Sequence, residues 1–311
     1  MSTEYNKAMQ KPLKVRIILG AIMIAAMVGL LVLDWWLERV GRPTMAIGDA
    51  PSSPAHTVKA IPLTVLCFLL IFVAFGEVAR MAAAAGVQVL HGSGLLGACA
   101  LGTIPFWWQF VDPKGPTGEG VLLAIGVIVI LVFAEQMARH RTADALRQIA
   151  CTLLAVLYLG VGVGMILSIR FGFGVPVLTL FLAAVKFTDI GAYFTGTAIG
   201  RHKMIPWLSP GKSWEGLIGG LIVAAGVSVL AAWWMKIGLG AGLMALWKAA
   251  VFGAVVGAAG QFADLCESLL KRAAGLKDAG ALVPEFGGVL DILDSPLLSA
   301  PVAMILLAVM A

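Results

Sequence analysis

Nine long apolar stretches, separated by short polar segments, run through most of this chain. They lie near residues 17–35, 60–76, 94–110, 120–137, 149–168, 173–198, 216–235, 244–263 and 295–311. A helix of about 20 apolar residues spans the hydrocarbon core of a bilayer. A backbone in lipid must satisfy its own hydrogen bonds, and a helix does so within one segment. The expected fold is therefore an all-α polytopic integral membrane protein with about nine transmembrane helices. Composition agrees: 60% of residues are hydrophobic and 13% are charged, where soluble domains run about 25% charged. The mean hydropathy is +0.96. The third stretch is short and glycine-rich, which also suits a re-entrant segment.

Orientation follows from lysine and arginine. With the N-terminus inside, fourteen of these residues fall in inner loops and six in outer ones. This bias predicts a cytoplasmic N-terminus and puts the 199–215 and 264–294 loops on one cytoplasmic face. Trp35, Trp36, Trp107, Trp108, Trp233 and Trp234 sit at span ends, as interfacial aromatics do. Residues 37–59 are the most loop-like. Four scattered cysteines (Cys67, Cys99, Cys151, Cys266) have no metal-binding spacing and read as small apolar side chains. The N-terminus shows no cleavable signal pattern. A net charge of +5 spread over many loops gives nucleic-acid binding no support. The expected division is residues 1–170 as N-terminal transmembrane helices and 171–311 as a C-terminal transmembrane catalytic region.

The acidic residues are distributed very differently. Of 17 in the chain, six lie in the 32 positions from Asp264 to Ser295. Asp291 and Asp294 are three apart and share a helix face, and Asp264 ends a span at the same depth. Three converging carboxylates repel one another unless a cation lies between them. Oxygen ligands of this kind suit Mg²⁺, which is commonly held by one or two carboxylates plus substrate phosphates. The competing reading is solvated loop acids at a membrane surface, although ionisable groups at membrane depth are costly and usually functional. Lys271, Arg272, Lys277 and Lys212 supply cations for phosphate neutralisation, or they report positive-inside topology alone.

Ser209-Pro210-Gly211-Lys212-Ser213-Trp214-Glu215-Gly216 follows the sixth stretch. Pro-Gly marks a turn and Ser213 can cap the next helix, whose free N–H groups would suit a phosphate. It is not a P-loop, because Pro206 stands where the first glycine is needed. Lys186 and Asp189 share a face within the sixth stretch, as a cavity lining or as a mutually neutralising pair. For Glu77 and Arg80, at the end of the second stretch, a structural pairing is the favoured reading. The four histidines form no general-base constellation. Gly287-Gly288 fits either a sharp turn or close approach to a phosphate.

Ser268-x-x-Lys271-Arg272-x4-Lys277-Asp278, followed by Pro284-x-Phe286-Gly287-Gly288-x-x-Asp291-x-x-Asp294, closely resembles the signature of the phosphatidate cytidylyltransferases, or CDP-diacylglycerol synthases. A second block is similar to another part of that family's pattern. It runs from Asp189-Ile-Gly191-Ala-Tyr193-Phe194-x-Gly196 through Gly200-Arg-His-Lys203 to Ser209–Gly216. Together the blocks cover roughly residues 185–300.

The resemblance implies transfer of a cytidylyl group from CTP to phosphatidic acid, giving CDP-diacylglycerol and pyrophosphate. It implies Asp264, Lys271, Asp291 and Asp294 as catalytic residues, the three aspartates being metal ligands. Ser209, Lys212, Ser213, Ser268, Arg272, Lys277, Asp278, Gly287, Gly288 and Asp189 become substrate-binding residues. The implied cofactor is Mg²⁺, with a second cation allowed. The implied partners are CTP, phosphatidic acid and the bilayer, with a homodimer as the candidate assembly, in a cytoplasmic membrane with the site facing the cytoplasm. Phe286 replaces a family histidine, Ile292 a family arginine and Ser213 a threonine. A CTP-dependent lipid kinase of the polyprenol or phytol type, and a transporter using Lys186 and Asp189 as an ion relay, are the other readings. The kinase would need a base for its hydroxyl acceptor. The transporter leaves the 264–294 cluster unexplained.

Overall fold

The computed structural model describes residues 2–40, 58–112, 117–239, 244–280, 282 and 287–310. Phe286, one of the two family departures in the acidic segment, lies outside them, as does most of the 37–59 loop.

The apolar stretches are helices: α1 (Ser2–Val40), α2 (Ile61–Ala84), α3 (His91–Trp108), α4 (Gly118–Glu135), α5 (Ala145–Val156), α6 (Gly162–Ile199), α7 (Trp214–Leu239), α8 (Leu246–Ala273) and α9 (Leu290–Met310). Short π-turns follow α4 and join α5 to α6. Seven helical segments among the described residues are long and apolar enough to cross a bilayer. One of these, Ala145–Ile199, is 55 residues long. Gly174, at φ 83° with Pro176 just after it, breaks that segment. A run of 55 residues is enough for two crossings. α3 is not among the seven: it is 18 residues long, glycine-rich and interrupted by Pro105. The protein is thus helical and membrane-embedded, as expected.

The surface is that of a protein in lipid. Leu122, Leu123 and Ile130 of α4 are all more than 65% exposed. Trp107 and Trp234 are exposed near helix ends, in keeping with interfacial aromatics. The core centres on α6, whose Leu178, Leu180, Phe181, Ala184 and Val185 are fully buried. α7 packs closely against α6 because Gly220 leaves room: a Cβ there would lie 2.7 Å from the Thr188 carbonyl, the small-residue contact common between membrane helices. α1 is fastened to α6 by charge. Arg170 is 1% exposed and donates to Asp34 at 2.6 Å and Glu38 at 2.8 Å.

The one departure from all-helical structure among the described residues is a small hairpin between α6 and α7. β1 (Lys203–Ile205) and β2 (Ser209–Ser213) pair antiparallel. Glu215 accepts from the backbone N–H groups of Arg201 and His202, each at 3.2 Å, and the Trp214 N–H donates to the His202 carbonyl at 2.9 Å. These bonds fold the polar loop back onto the end of the bundle that also carries the C-terminus of α8 and the N-terminus of α9.

Candidate active site

α8 presents Asp264, Glu267, Ser268 and Lys271 at a spacing that puts them on one face. That face meets the first turns of α9. One oxygen each from Asp264, Glu267 and Asp294 lie within 4.8 Å of one another. Glu267 is fully buried and Asp294 is 7% exposed. The Oε1 atom of Glu267 lacks a hydrogen-bond donor. Its charged neighbour is Lys271, whose ammonium forms an ion pair with Oε2. A buried carboxylate with one oxygen unmatched, facing two more carboxylates, is an unfavourable arrangement for protein atoms alone. A hard divalent cation suits it, because such ions take carboxylate oxygens as ligands.

The structure differs from the sequence expectation at one ligand. Asp291 stands outside this group. Its Oδ2 accepts from the Gly288 N–H at 2.6 Å and the Ala279 N–H at 3.0 Å, and its Oδ1 accepts from Lys271 Nζ at 2.8 Å. With its oxygens so engaged, Asp291 ties Ala279 and Gly288 to the start of α9 and orients Lys271. Glu267 takes the third place in the group. It lies three residues after Asp264 and four before Lys271, so its helix phase was available in the sequence.

The hairpin joins the same site. Lys212 Nζ lies 2.7 Å from Asp264 Oδ2 and donates to the Gln261 carbonyl at 3.1 Å. The Gln261 side chain donates to Asp189 Oδ1 at 2.8 Å. Lys186 donates instead to the Ile292 carbonyl at 3.0 Å. Lys186 and Asp189 therefore face the same site, and among the described residues no ion pair joins them. Ser213, 3% exposed, accepts from the Gly216 N–H at 3.2 Å and caps α7 as its position suggests.

The remaining candidates lie around this centre. Ser268 donates weakly to Asp264 at 3.4 Å. Arg272 is exposed and donates to the Leu276 carbonyl at 2.9 Å, closing the C-terminus of α8. Lys277 and Asp278 are exposed in the following turn, and Ser209 is half-buried at the start of β2. Gly287 (φ 92°) and Gly288 make a sharp turn against carboxylates. A Cβ at Gly287 would lie 2.6 Å from Asp291 Oδ2, and one at Gly288 2.6 Å from Glu77 Oε1. Glu77, from α2, is 1% exposed and accepts from the N–H groups of Val289 (3.0 Å) and Leu290 (2.7 Å). It caps α9 from another helix. Its contact with Arg80 is longer, 3.7 Å, and Arg80 is 62% exposed.

The model of the cytidylyltransferase family matches residues 53–310. The chain belongs to the cytidylyltransferase family. Among the family's curated members, the phosphatidate cytidylyltransferase of Staphylococcus epidermidis is 31% identical over 251 residues, covering 79% of this chain and 89% of that protein. That of Bacillus subtilis is 30% identical over 256 residues, covering 81% and 90%. That of Pseudomonas aeruginosa reaches 45% over 121 residues, covering 38% and 42%. This cytidylyltransferase family member is an integral membrane protein whose acidic centre lies where α6, the hairpin, α8 and α9 meet.

Proposed function

We propose that this protein is a phosphatidate cytidylyltransferase, which joins CTP and phosphatidic acid to form CDP-diacylglycerol and pyrophosphate. The observation that carries the reading is the Lys212–Asp264 contact at 2.7 Å. It brings the basic hairpin of one sequence block onto the acidic helix of the other, at the end of a membrane-embedded bundle.

The chemistry is a displacement at the α-phosphorus of CTP. An oxygen of the phosphatidate headgroup forms the new P–O bond, the bond to the bridging α–β oxygen breaks, and pyrophosphate leaves with that electron pair. The headgroup oxygen is already anionic, so no strong general base is needed. This suits a site whose ionisable groups are carboxylates and lysines. Asp264, Glu267 and Asp294 would hold Mg²⁺, which supplies charge neutralisation of phosphate oxygens when bound. Lys212 and Lys271 hold positive charge at fixed points beside those carboxylates, and preorganised charge of this kind favours a transition state richer in negative charge. Asp291 sets Lys271 in place. Asp189 holds Gln261, and through it the carbonyl that receives Lys212.

We assign the catalytic region to residues 171–311, with the hairpin side facing the cytoplasm. CTP then arrives from the aqueous phase and the lipid from the adjoining leaflet. The test is rescue of a conditional strain lacking its own CDP-diacylglycerol synthase. Growth under the restrictive condition supports the assignment. Failure to grow, with the protein present in the membrane, refutes it.

A further inference from the structure

We infer that Lys186 is a binding residue for the phosphate of the lipid substrate; this rests on the activity proposed above. Lys186 lies within a membrane-spanning helix, where an unpaired charge is costly. The other two lysines of the centre are matched with carboxylates: Lys212 with Asp264, and Lys271 with Glu267 and Asp291. Lys186 has no carboxylate within ion-pair distance among the described residues. Its one hydrogen bond among the described residues goes to the Ile292 carbonyl. An ammonium group has three donors, so two are left for another acceptor.

The surroundings indicate which acceptor. Its bond to the Ile292 carbonyl places Lys186 at the first turn of α9, two residues before Asp294, and Asp189 follows it by three residues on α6, so it borders the acidic group. It precedes Asp189 by three residues on α6, which sets it about 4.5 Å further from the hairpin along the helix. Lys212, by contrast, stands on the hairpin, nearest the loops. Beside Lys186 on α6, Phe187 and Ile190 are 41% and 39% exposed and offer an apolar surface to acyl chains. A cation deeper in the bundle, next to lipid-facing side chains, fits a lipid phosphomonoester better than the water-borne nucleotide.

The test measures binding and turnover separately, using purified full-length protein in detergent micelles. Fluorescent phosphatidic acid serves as the binding probe. Lys186→Met is expected to weaken phosphatidate binding at least about tenfold, the effect of losing a charge-assisted hydrogen bond. The KM for phosphatidate should rise in parallel, with the KM for CTP changed less than about twofold. Lys186→Arg should recover most of the binding. Lys248→Met is the control, because Lys248 also donates to a carbonyl, that of Met310, but far from this site. Equal phosphatidate binding by wild type and Lys186→Met overturns the inference, whether or not the wild type turns over. Equal weakening toward both substrates also overturns it, since that is the mark of a structural role. Phosphatidate binding that depends on Lys186 without cytidylyl transfer by wild type would uphold the site and refute the activity.

Discussion

Glu77 accepts a hydrogen bond from the backbone N–H of Leu290 at 2.7 Å, across 213 positions of sequence. Its other oxygen accepts from Val289 at 3.0 Å. A carboxylate at a helix N-terminus satisfies free N–H groups and meets the positive end of the helix dipole. Here the cap comes from α2, so α2 sets where α9 begins and hence where Asp291 and Asp294 stand.

Removing that cap should loosen the site. Glu77→Ala leaves two buried N–H groups without an acceptor, at about 1–3 kcal/mol each. We expect its apparent Tm to fall by several degrees and its kcat by about tenfold or more. Glu77→Gln, which keeps an acceptor, should fall between it and wild type. Arg80→Ala should be close to neutral, because Arg80 is 62% exposed and 3.7 Å from its partner. Thermal unfolding in detergent and a CDP-diacylglycerol assay check both. A Glu77→Ala protein as stable and active as wild type contradicts the capping role.

The Gly287-Gly288 turn should tolerate no side chain. Alanine at 287 would have to keep a φ of 92° and crowd Asp291, and alanine at 288 would crowd the buried Glu77 carboxylate. Each substitution should lower turnover at least tenfold. Gly211→Ala, where a Cβ meets nothing within 4 Å, should leave it near wild type. Turnover by the three alanine variants on the same scale checks this. Wild-type rates for Gly287→Ala and Gly288→Ala would mean the turn does not hold the site.

The acidic residues should separate into two classes. Asp264→Asn, Glu267→Gln and Asp294→Asn should each lower kcat by at least about a hundredfold, as expected when a charge-neutralising cation is lost, and raise the Mg²⁺ concentration needed for half-maximal rate. Asp291→Asn should also impair turnover, through the loop and Lys271, while leaving that Mg²⁺ requirement within about twofold of wild type. Magnesium titrations of the four variants distinguish the classes. A Glu267→Gln enzyme with wild-type kcat and Mg²⁺ dependence removes Glu267 from the cation site. An Asp291→Asn enzyme with a greatly raised requirement would restore Asp291 to it.

The membrane class and most of the helices were legible because apolar length alone specifies a span. The hairpin at 203–213 was not, since a few residues rich in turn formers carry little strand pattern, and its pairing depends on Glu215 and the neighbouring helices. Lys212 and Asp264 were each visible in the sequence, but nothing local says that they touch. The acidic centre was half legible. Spacing places Asp291 and Asp294 on one face, yet Asp291 sits where the loop N–H groups and Lys271 claim its oxygens. Glu267 points into the centre because of the phase of α8, which the spacing of Asp264 and Lys271 already carried. The grip of Glu77 on α9 depends on a contact across most of the chain, which no local pattern encodes.

Topology gives a further check. The hairpin and the 274–289 loop should lie on the cytoplasmic side. With the four native cysteines replaced, a cysteine at Gly211 or at Leu282, which is 63% exposed, should react with a membrane-impermeant maleimide only after the cells are opened. A cysteine at Val111, 74% exposed beyond the far end of α3, should react in intact cells. Labelling of Gly211→Cys and Leu282→Cys from opposite sides would divide the site across the bilayer and contradict the arrangement.

The most direct measurement follows the phosphorus of CTP. Purified protein is incubated with phosphatidic acid, Mg²⁺ and CTP labelled at either the α- or the γ-phosphate, and the lipid is extracted. The account predicts that α-label enters the lipid, with release of one pyrophosphate per lipid labelled, and that Glu267→Gln abolishes most of this transfer. Entry of γ-label into lipid would identify a kinase, and no label from either position would contradict the assigned reaction.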